Sequence, residues 1–363
     1  LDPSDDIGED RVRRRIKGLI PWILSIGIVV FLFLTTDIAA VGQALESADW
    51  PRLIGLMALV TLLSFVADSA TLVPLLRRFA APVDFREVVA IKGVSYFLNA
   101  LNYSLAAGGM AWLVHKKHGV PFMRAFSALV LFFFIDIIAL GVMLTIGWLF
   151  GQDLLAHGGA KFVAQVPVVI IVVWSIVLGS WIYWNRKFDF FFFGFFRKVK
   201  IFQCFAEARS LDYLRFVALR ITFILVYVLM HLLLLPAFGV HISFVTLLMY
   251  SPLITFVQVI PATISGLGAV QGVMIALFSA HVPAHLGDPK AVIIAYSTVI
   301  GPLMMVMRLL IGYVFMAAIA RDVIPNAAEI EKARVDGETP ATQGTGSGSA
   351  PTTPTNAVGT SDT

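Results

Sequence analysis

The sequence of 363 residues has little charge and almost no cysteine. Only 14% of its residues are charged, against about 25% in an ordinary soluble domain. The single thiol, Cys204, excludes an intramolecular disulfide and any metal site built on cysteines. It sits beside a basic loop and reads as a plain thiol. No nucleophile elbow, HExxH helix or Walker-type phosphate loop is present. The histidines are scattered. His115 and His118 stand three apart in a basic turn, but no acidic or cysteine residue is near them in sequence. The expectation is therefore no catalytic residues, no metal, no cofactor and no enzyme.

What the chain has in excess is apolar surface. Hydrophobic residues make up 58% of it, more than a soluble fold of this length can bury. The formal charge of +4 does not point to nucleic acid, because the basic residues lie between apolar runs. There they orient a membrane protein and meet anionic headgroups. The first apolar run follows Arg11, Arg13, Arg14, Arg15 and Lys17 and lacks a small-residue cleavage site. It is expected to stay in the membrane as a helix.

Six segments reach the roughly 20 apolar residues that a spanning helix needs: about 19–36, 52–76, 125–150, 162–184, 213–236 and 291–320. Two others, 86–122 and 243–283, are apolar but interrupted midway by small and polar residues, "FLNALNYSLAAGGMAWL" and "VQVIPATISGLGAVQGVM". Arg77, Arg78 and Arg86 precede the first of these, and Lys116, Lys117 and Arg124 follow it. Positive charge on both flanks predicts a re-entrant hairpin opening to the cytoplasm. The second has Gly239, Val240 and His241 before it and His281, His285, Asp288 and Lys290 after it, which predicts a hairpin opening outward. The basic stretch from Arg186 to Arg215 belongs inside, and residues 37–50 belong outside. Both termini are then cytoplasmic.

The fold class expected is all-α, a polytopic bundle of about six full spans plus two oppositely oriented re-entrant hairpins, an inverted repeat. A basic tail (1–17) precedes the membrane domain (18–322), and a disordered cytoplasmic tail (323–363) follows it. Residues 187–209, rich in Phe beside Lys and Arg, suit an interfacial helix or part of a bent one.

Broken elements of opposite orientation, in matching places of two halves, point to a substrate cavity near the midplane. The pairs Gly108–Gly109 and Gly266–Gly268 would make the tight turns, with backbone N–H groups aimed inward. Asn99, Asn102, Tyr103 and Ser104 are candidates to line the first half. Gln258, Pro261, Thr263, Ser265 and Gln271 are candidates for the second. The plainer alternative is helix packing through small residues and interhelical hydrogen bonds. Intramembrane charge is more telling, because it is costly in lipid. Asp68, Asp136 and Arg308 lie within apolar spans. Asp136 and Arg308 are expected either to pair or to reach the cavity together, and Asp68 or Asp136 would carry any proton coupling. Lys92 and Arg220 read as near helix ends and able to snorkel. His231 reads as a packed polar residue.

The segments "LNYSLAAGGMAWLVHKKHGV", "AFSALVLFFFIDIIAL", "IPATISGLGAVQGVMIALF" and "MRLLIGY" resemble the lysylphosphatidylglycerol synthase transmembrane region, or flippase-like, family over about residues 15–322. The most specific piece is Pro261 to Gly268 with Arg308 downstream; Gly108–Gly109 and Asp136 match in the first half. The chain departs from the family pattern where Gly109 and Met110 stand for an acidic residue. It departs again where Val270 and Gln271 stand for a basic–acidic pair, and where phenylalanines replace the Glu-Arg before Asp136. The resemblance implies translocation of a membrane lipid, anionic or polyprenyl-linked, at the cell membrane, expected to be a bacterial inner membrane. The alternative is a membrane enzyme or accessory subunit of lipid or glycan envelope synthesis. Aminoacyl transfer is not expected, since the C-terminal tail is too short and polar to be that domain.

Overall fold

The computed structural model describes residues 30–32, 34–101, 103–150, 166–185, 199–259 and 268–323. Within them the chain is helical: α1 (Ile38–Glu46), α2 (Trp50–Phe79), α3 (Phe85–Leu101), α4 (Tyr103–His118), α5 (Phe122–Phe150), α6 (Val166–Asn185), α7 (Gln203–Glu207), α8 (Ser210–Leu234), α9 (Phe244–Val259), α10 (Ala269–Phe278) and α11 (Pro289–Val323). Among the described residues, five helices are long and apolar enough to cross a membrane. They coincide with five of the six expected spans. Most of the first, about 19–36, lies outside the described residues. The chain is a polytopic helical membrane protein. Its helices through Met316 form one compact unit; of the second, from Ala317 onward, the structure describes helical backbone to Val323. The expected basic tail, most of the Phe-rich interfacial segment and the C-terminal tail also lie outside the described residues.

Local chemistry sets the helix ends. Asp37 caps α1 by accepting from the backbone N–H of Ala39 at 2.9 Å. Asp49 caps α2 by accepting from that of Arg52 at 3.2 Å, with Pro51 in the first turn. Arg77 and Arg78 close α2, where cations suit the negative end of the helix dipole. The α6 helix leaves Val168, Ile171, Val172, Ile176 and Leu178 exposed, as a helix against lipid tails should. α5 is buried along most of its length.

Ion pairs and hydrogen bonds fix which helix ends lie together. Arg124, at the start of α5, donates to the carbonyl of Phe79 at 2.8 Å and reaches Glu207 of α7 at 3.0 Å. Arg78 lies 3.6 Å from Asp212 of α8. Glu87, opening α3, meets His118 at 2.5 Å and Lys117 at 3.6 Å, both closing α4. So α3 begins and α4 ends at one end of the bundle, a basic one. Glu87 also supplies His118 with the acidic neighbour missing from its local sequence. No group of three or more metal-ligating side chains occurs among the described residues.

The opposite end gathers other elements. The backbone N–H of Asp49 donates to the Ala237 carbonyl at 3.1 Å. Gly239, with φ of 72° in the left-handed region that glycine tolerates, lies against Leu286. The Tyr250 and His281 rings stand 5.9 Å apart, bringing the first half of α9 beside the exit of α10. The α3/α4 and α9/α10 pairs therefore open at opposite ends.

Each pair belongs to its own apolar core. One core joins the first half of α2, the end of α8, α9, α10 and the start of α11. The other joins the second half of α2, α3, α4, most of α5 and the first half of α8. Along α2 the first core ends at Val60 and the second begins at Leu72. Asp68 falls between them.

Part of the basic stretch expected at the interface is described. A 3-10 turn at Lys200–Phe202 leads into α7, where Cys204 and Phe205 are buried. The Cys204 backbone N–H donates to Ser127 Oγ of α5 at 3.0 Å. This end of the stretch packs on the protein.

Candidate functional site: a buried ion network

A stripe of polar residues, Thr61, Ser64, Asp68 and Thr71, runs down one face of α2 at spacings of three and four. All four are buried. Because lipid offers no partners, that face must turn inward to find them in protein.

Ser64 donates to the Thr61 carbonyl of its own helix, and the ionic partners of the stripe come from other helices. Lys92 Nζ of α3 lies 2.8 Å from Asp68 Oδ2, and Arg220 Nη1 of α8 lies 2.5 Å from Asp68 Oδ1. The same Arg220 nitrogen donates to Thr71 Oγ1 at 3.0 Å. The other edge of the guanidinium takes Asp136 of α5 side-on: Nε donates to Oδ1, and Nη2 to Oδ2 at 3.1 Å. Phe223 and Phe132 cover the guanidinium, their ring centroids 3.8 and 4.4 Å from Cζ. A planar, delocalised cation tolerates such a sandwich better than an ammonium would. Asp68, Lys92 and Arg220 are all less than a tenth exposed.

Two turns along α8 from Arg220, about 10 Å at 1.5 Å per residue, Tyr227 accepts from Arg308 Nη2 of α11 at 2.5 Å. The Arg308 guanidinium also stands over the ring of Tyr96 at 5.4 Å. Its Nε is buried with no hydrogen-bond partner among the described residues. Gly312, one turn on, lets α11 approach α3 closely, since a Cβ there would stand 2.7 Å from the backbone nitrogen of Phe97. Two carboxylates thus face Lys92 and Arg220, while Arg308 has no carboxylate partner among the described residues.

Several expectations need correction. Asp136 and Arg308 do not pair; the partner of Asp136 is Arg220. Arg220 and Lys92 do not snorkel. Arg220 lies ten residues into α8, which starts at Ser210, and Lys92 seven into α3, so both heads are enclosed. Gly108 and Gly109 make no turn. α3 runs to Leu101 and α4 from Tyr103, and both glycines lie inside α4. Gly109 packs on Leu98, into which any Cβ would run; its role there is close approach. α4 is already helical from Tyr103, ahead of both glycines.

Gly268 does make a turn, with φ of 83°, and opens α10. Its N–H donates to Gln271 Oε1 at 2.6 Å, so this side chain caps its own helix. Asn99 is half-buried and lies seven residues beyond Lys92, on the face that also carries Tyr96. For Tyr103 the structure describes only helical backbone. Asn102, Pro261, Ser265 and Gly266 lie outside the described residues. His231 is buried and bonded through Nδ1 to Tyr296 Oη at 2.7 Å, a packed polar residue as expected.

Residues 19–312 match the model of the family described as the lysylphosphatidylglycerol synthase TM region. No curated protein matches the chain.

Proposed function

Because the chain belongs to the lysylphosphatidylglycerol synthase TM region family, we propose that it carries a lipid or lipid-linked amphiphile between leaflets. The headgroup passes through the polar interior while the tails remain in lipid. The observation that carries this reading is Arg308, a half-buried cation whose buried Nε has no acceptor among the described residues. A buried donor left without an acceptor is costly, and an anionic headgroup oxygen would supply one.

The two helix pairs are read as re-entrant hairpins. At 17 and 16 residues for α3 and α4, and 16 and 10 for α9 and α10, each member falls short of the roughly 20 residues of a full span. Opening at opposite ends, they form an inverted repeat whose halves rock about the central site. Asn99, Asn102 and Tyr103 at the first tip, and Pro261, Ser265, Gly266 and Gly268 at the second, line the path. Asp68 and Asp136 are the groups through which protons would couple. The basic end faces the cytoplasm, and the cargo is an anionic or polyprenyl-linked lipid of the cell membrane.

Reconstitution into liposomes carrying a headgroup-labelled phosphatidylglycerol tests this. Faster loss of leaflet-protected label with wild-type protein, absent with Arg308→Met, supports it. A chemically altered lipid would instead make the chain an enzyme of envelope lipid synthesis. Unaltered lipid moving no faster than in empty liposomes would leave no transporter.

A further inference from the structure

At the basic end, away from the ion network, α2, α3 and α8 enclose a hollow of about 430 Å³. Three arginines line it: Arg77 and Arg78 from the last turn of α2, and Arg215 from α8. Val73, Pro74 and Phe85 supply an apolar wall, and Phe85 remains 42% exposed.

The charges facing the hollow do not cancel. Arg77 donates through Nε to the Val83 carbonyl at 2.7 Å, and its Nη2 lies 3.4 Å from Asp84, a carboxylate whose side chain is 88% exposed. Arg78 lies 3.6 Å from Asp212 and rests over the Phe79 ring at 5.2 Å. Asp212 also accepts from the Arg209 backbone N–H at 3.0 Å. Arg215 has no ion pair among the described residues. Three guanidiniums thus stand against two carboxylates, each paired with one arginine, at 3.4 and 3.6 Å.

We infer that this hollow binds the headgroup phosphate of an anionic phospholipid at the membrane interface. Guanidinium forks match phosphate oxygens, and basic pockets between membrane helices suit phospholipid headgroups. The apolar wall gives the glycerol and first methylenes a surface, which inorganic phosphate would not use. The site is separate from Arg308 and does not depend on the transport reading.

The test uses the full chain in detergent, with lipid retention measured by native mass spectrometry. Phosphatidylglycerol, phosphatidylcholine and inorganic phosphate are added separately. Arg215→Gln should weaken phosphatidylglycerol binding about tenfold, the loss of one charge-assisted hydrogen bond. Arg86→Gln, which removes an exposed cation outside the hollow, should change it less than about twofold. Arg215→Lys, which keeps the charge and loses the fork, should fall between and serves if the Gln variant folds poorly. Inorganic phosphate bound as tightly, with the same dependence on Arg215, would support the phosphate site and make solution its source. Equal losses at Arg215 and Arg86, or phosphatidylglycerol held no better than phosphatidylcholine, would overturn the proposal.

Discussion

The Arg220 guanidinium engages both carboxylate oxygens of Asp136, clamping α8 to α5. Its remaining edge reaches Asp68 of α2 at 2.5 Å. One side chain therefore bridges two acids on two helices, and Lys92, from a fourth helix, supplies the second positive charge through Asp68. Removing a single member of a buried pair leaves an uncompensated charge, which costs about 3–5 kcal/mol. Arg220→Met should lower the thermal midpoint in detergent sharply. Combining it with Asp136→Asn should restore much of the loss, because Lys92 still balances Asp68. Arg220→Lys should rescue only partly, since an ammonium cannot span both acids side-on.

Arg308 should behave differently. Its hydrogen-bond partner is the phenol of Tyr227, so Arg308→Met strands no carboxylate. The unfolding free energy should stay within about 1 kcal/mol of wild type, by the rule that orphaned charge dominates such losses. Lipid movement in liposomes should slow at least about tenfold, the worth of one hydrogen bond to a charged group. A variant that transports normally would remove Arg308 from the path.

The same two arginines mark where sequence reading stops. Five spans were legible because an apolar run of that length has no other stable home than lipid. Asp68, Asp136 and Arg308 stood out as costly residues in those runs. Which acid meets which base was not legible, because it depends on how each helix is rotated about its axis. Asp136 and Arg308 hold matching places in the two halves, yet Arg220 is closer. Lys92 and Arg220 read as near helix ends because the starts of α3 and α8 fix their depth, and apolar runs place those starts only to within a turn. The polar stripe from Thr61 to Thr71 was the available signal, since its spacing marks an inward face on α2. Gly108 and Gly109 misled because a glycine pair serves a turn and a close helix contact equally well. Contact with Leu98 decides for the second.

Close contact of that kind can be tested at Gly147. A Cβ there would stand 2.6 Å from the backbone Cα of Met249, so α5 and α9 would have to part. Gly147→Ala should destabilise by about 1–3 kcal/mol, as overpacking does. Gly55, in α2, has nothing within 4 Å of the same position. Gly55→Ala should be neutral or stabilise by up to about 1 kcal/mol through backbone entropy. Thermal unfolding of the two variants side by side separates contact from helix propensity.

Cys204 offers a last measurement, on how α7 is seated. Its thiol is fully buried, and burial pushes its pKa above the usual thiol range. Below about pH 7.5, a unit under the unfolded thiol's pKa of about 8.5, the thiol is protonated folded and unfolded alike, so it lends stability no pH dependence there. Above that, the unfolded thiol ionises while the folded one resists, and stability should fall as pH rises. Cys204→Ala should reduce that alkaline loss relative to wild type. Maleimide should label the native thiol slowly at neutral pH and rapidly once the protein unfolds, because the thiolate is the nucleophile. Fast labelling of the native protein would mean that α7 leaves α5, breaking the Cys204–Ser127 hydrogen bond on the labelling timescale.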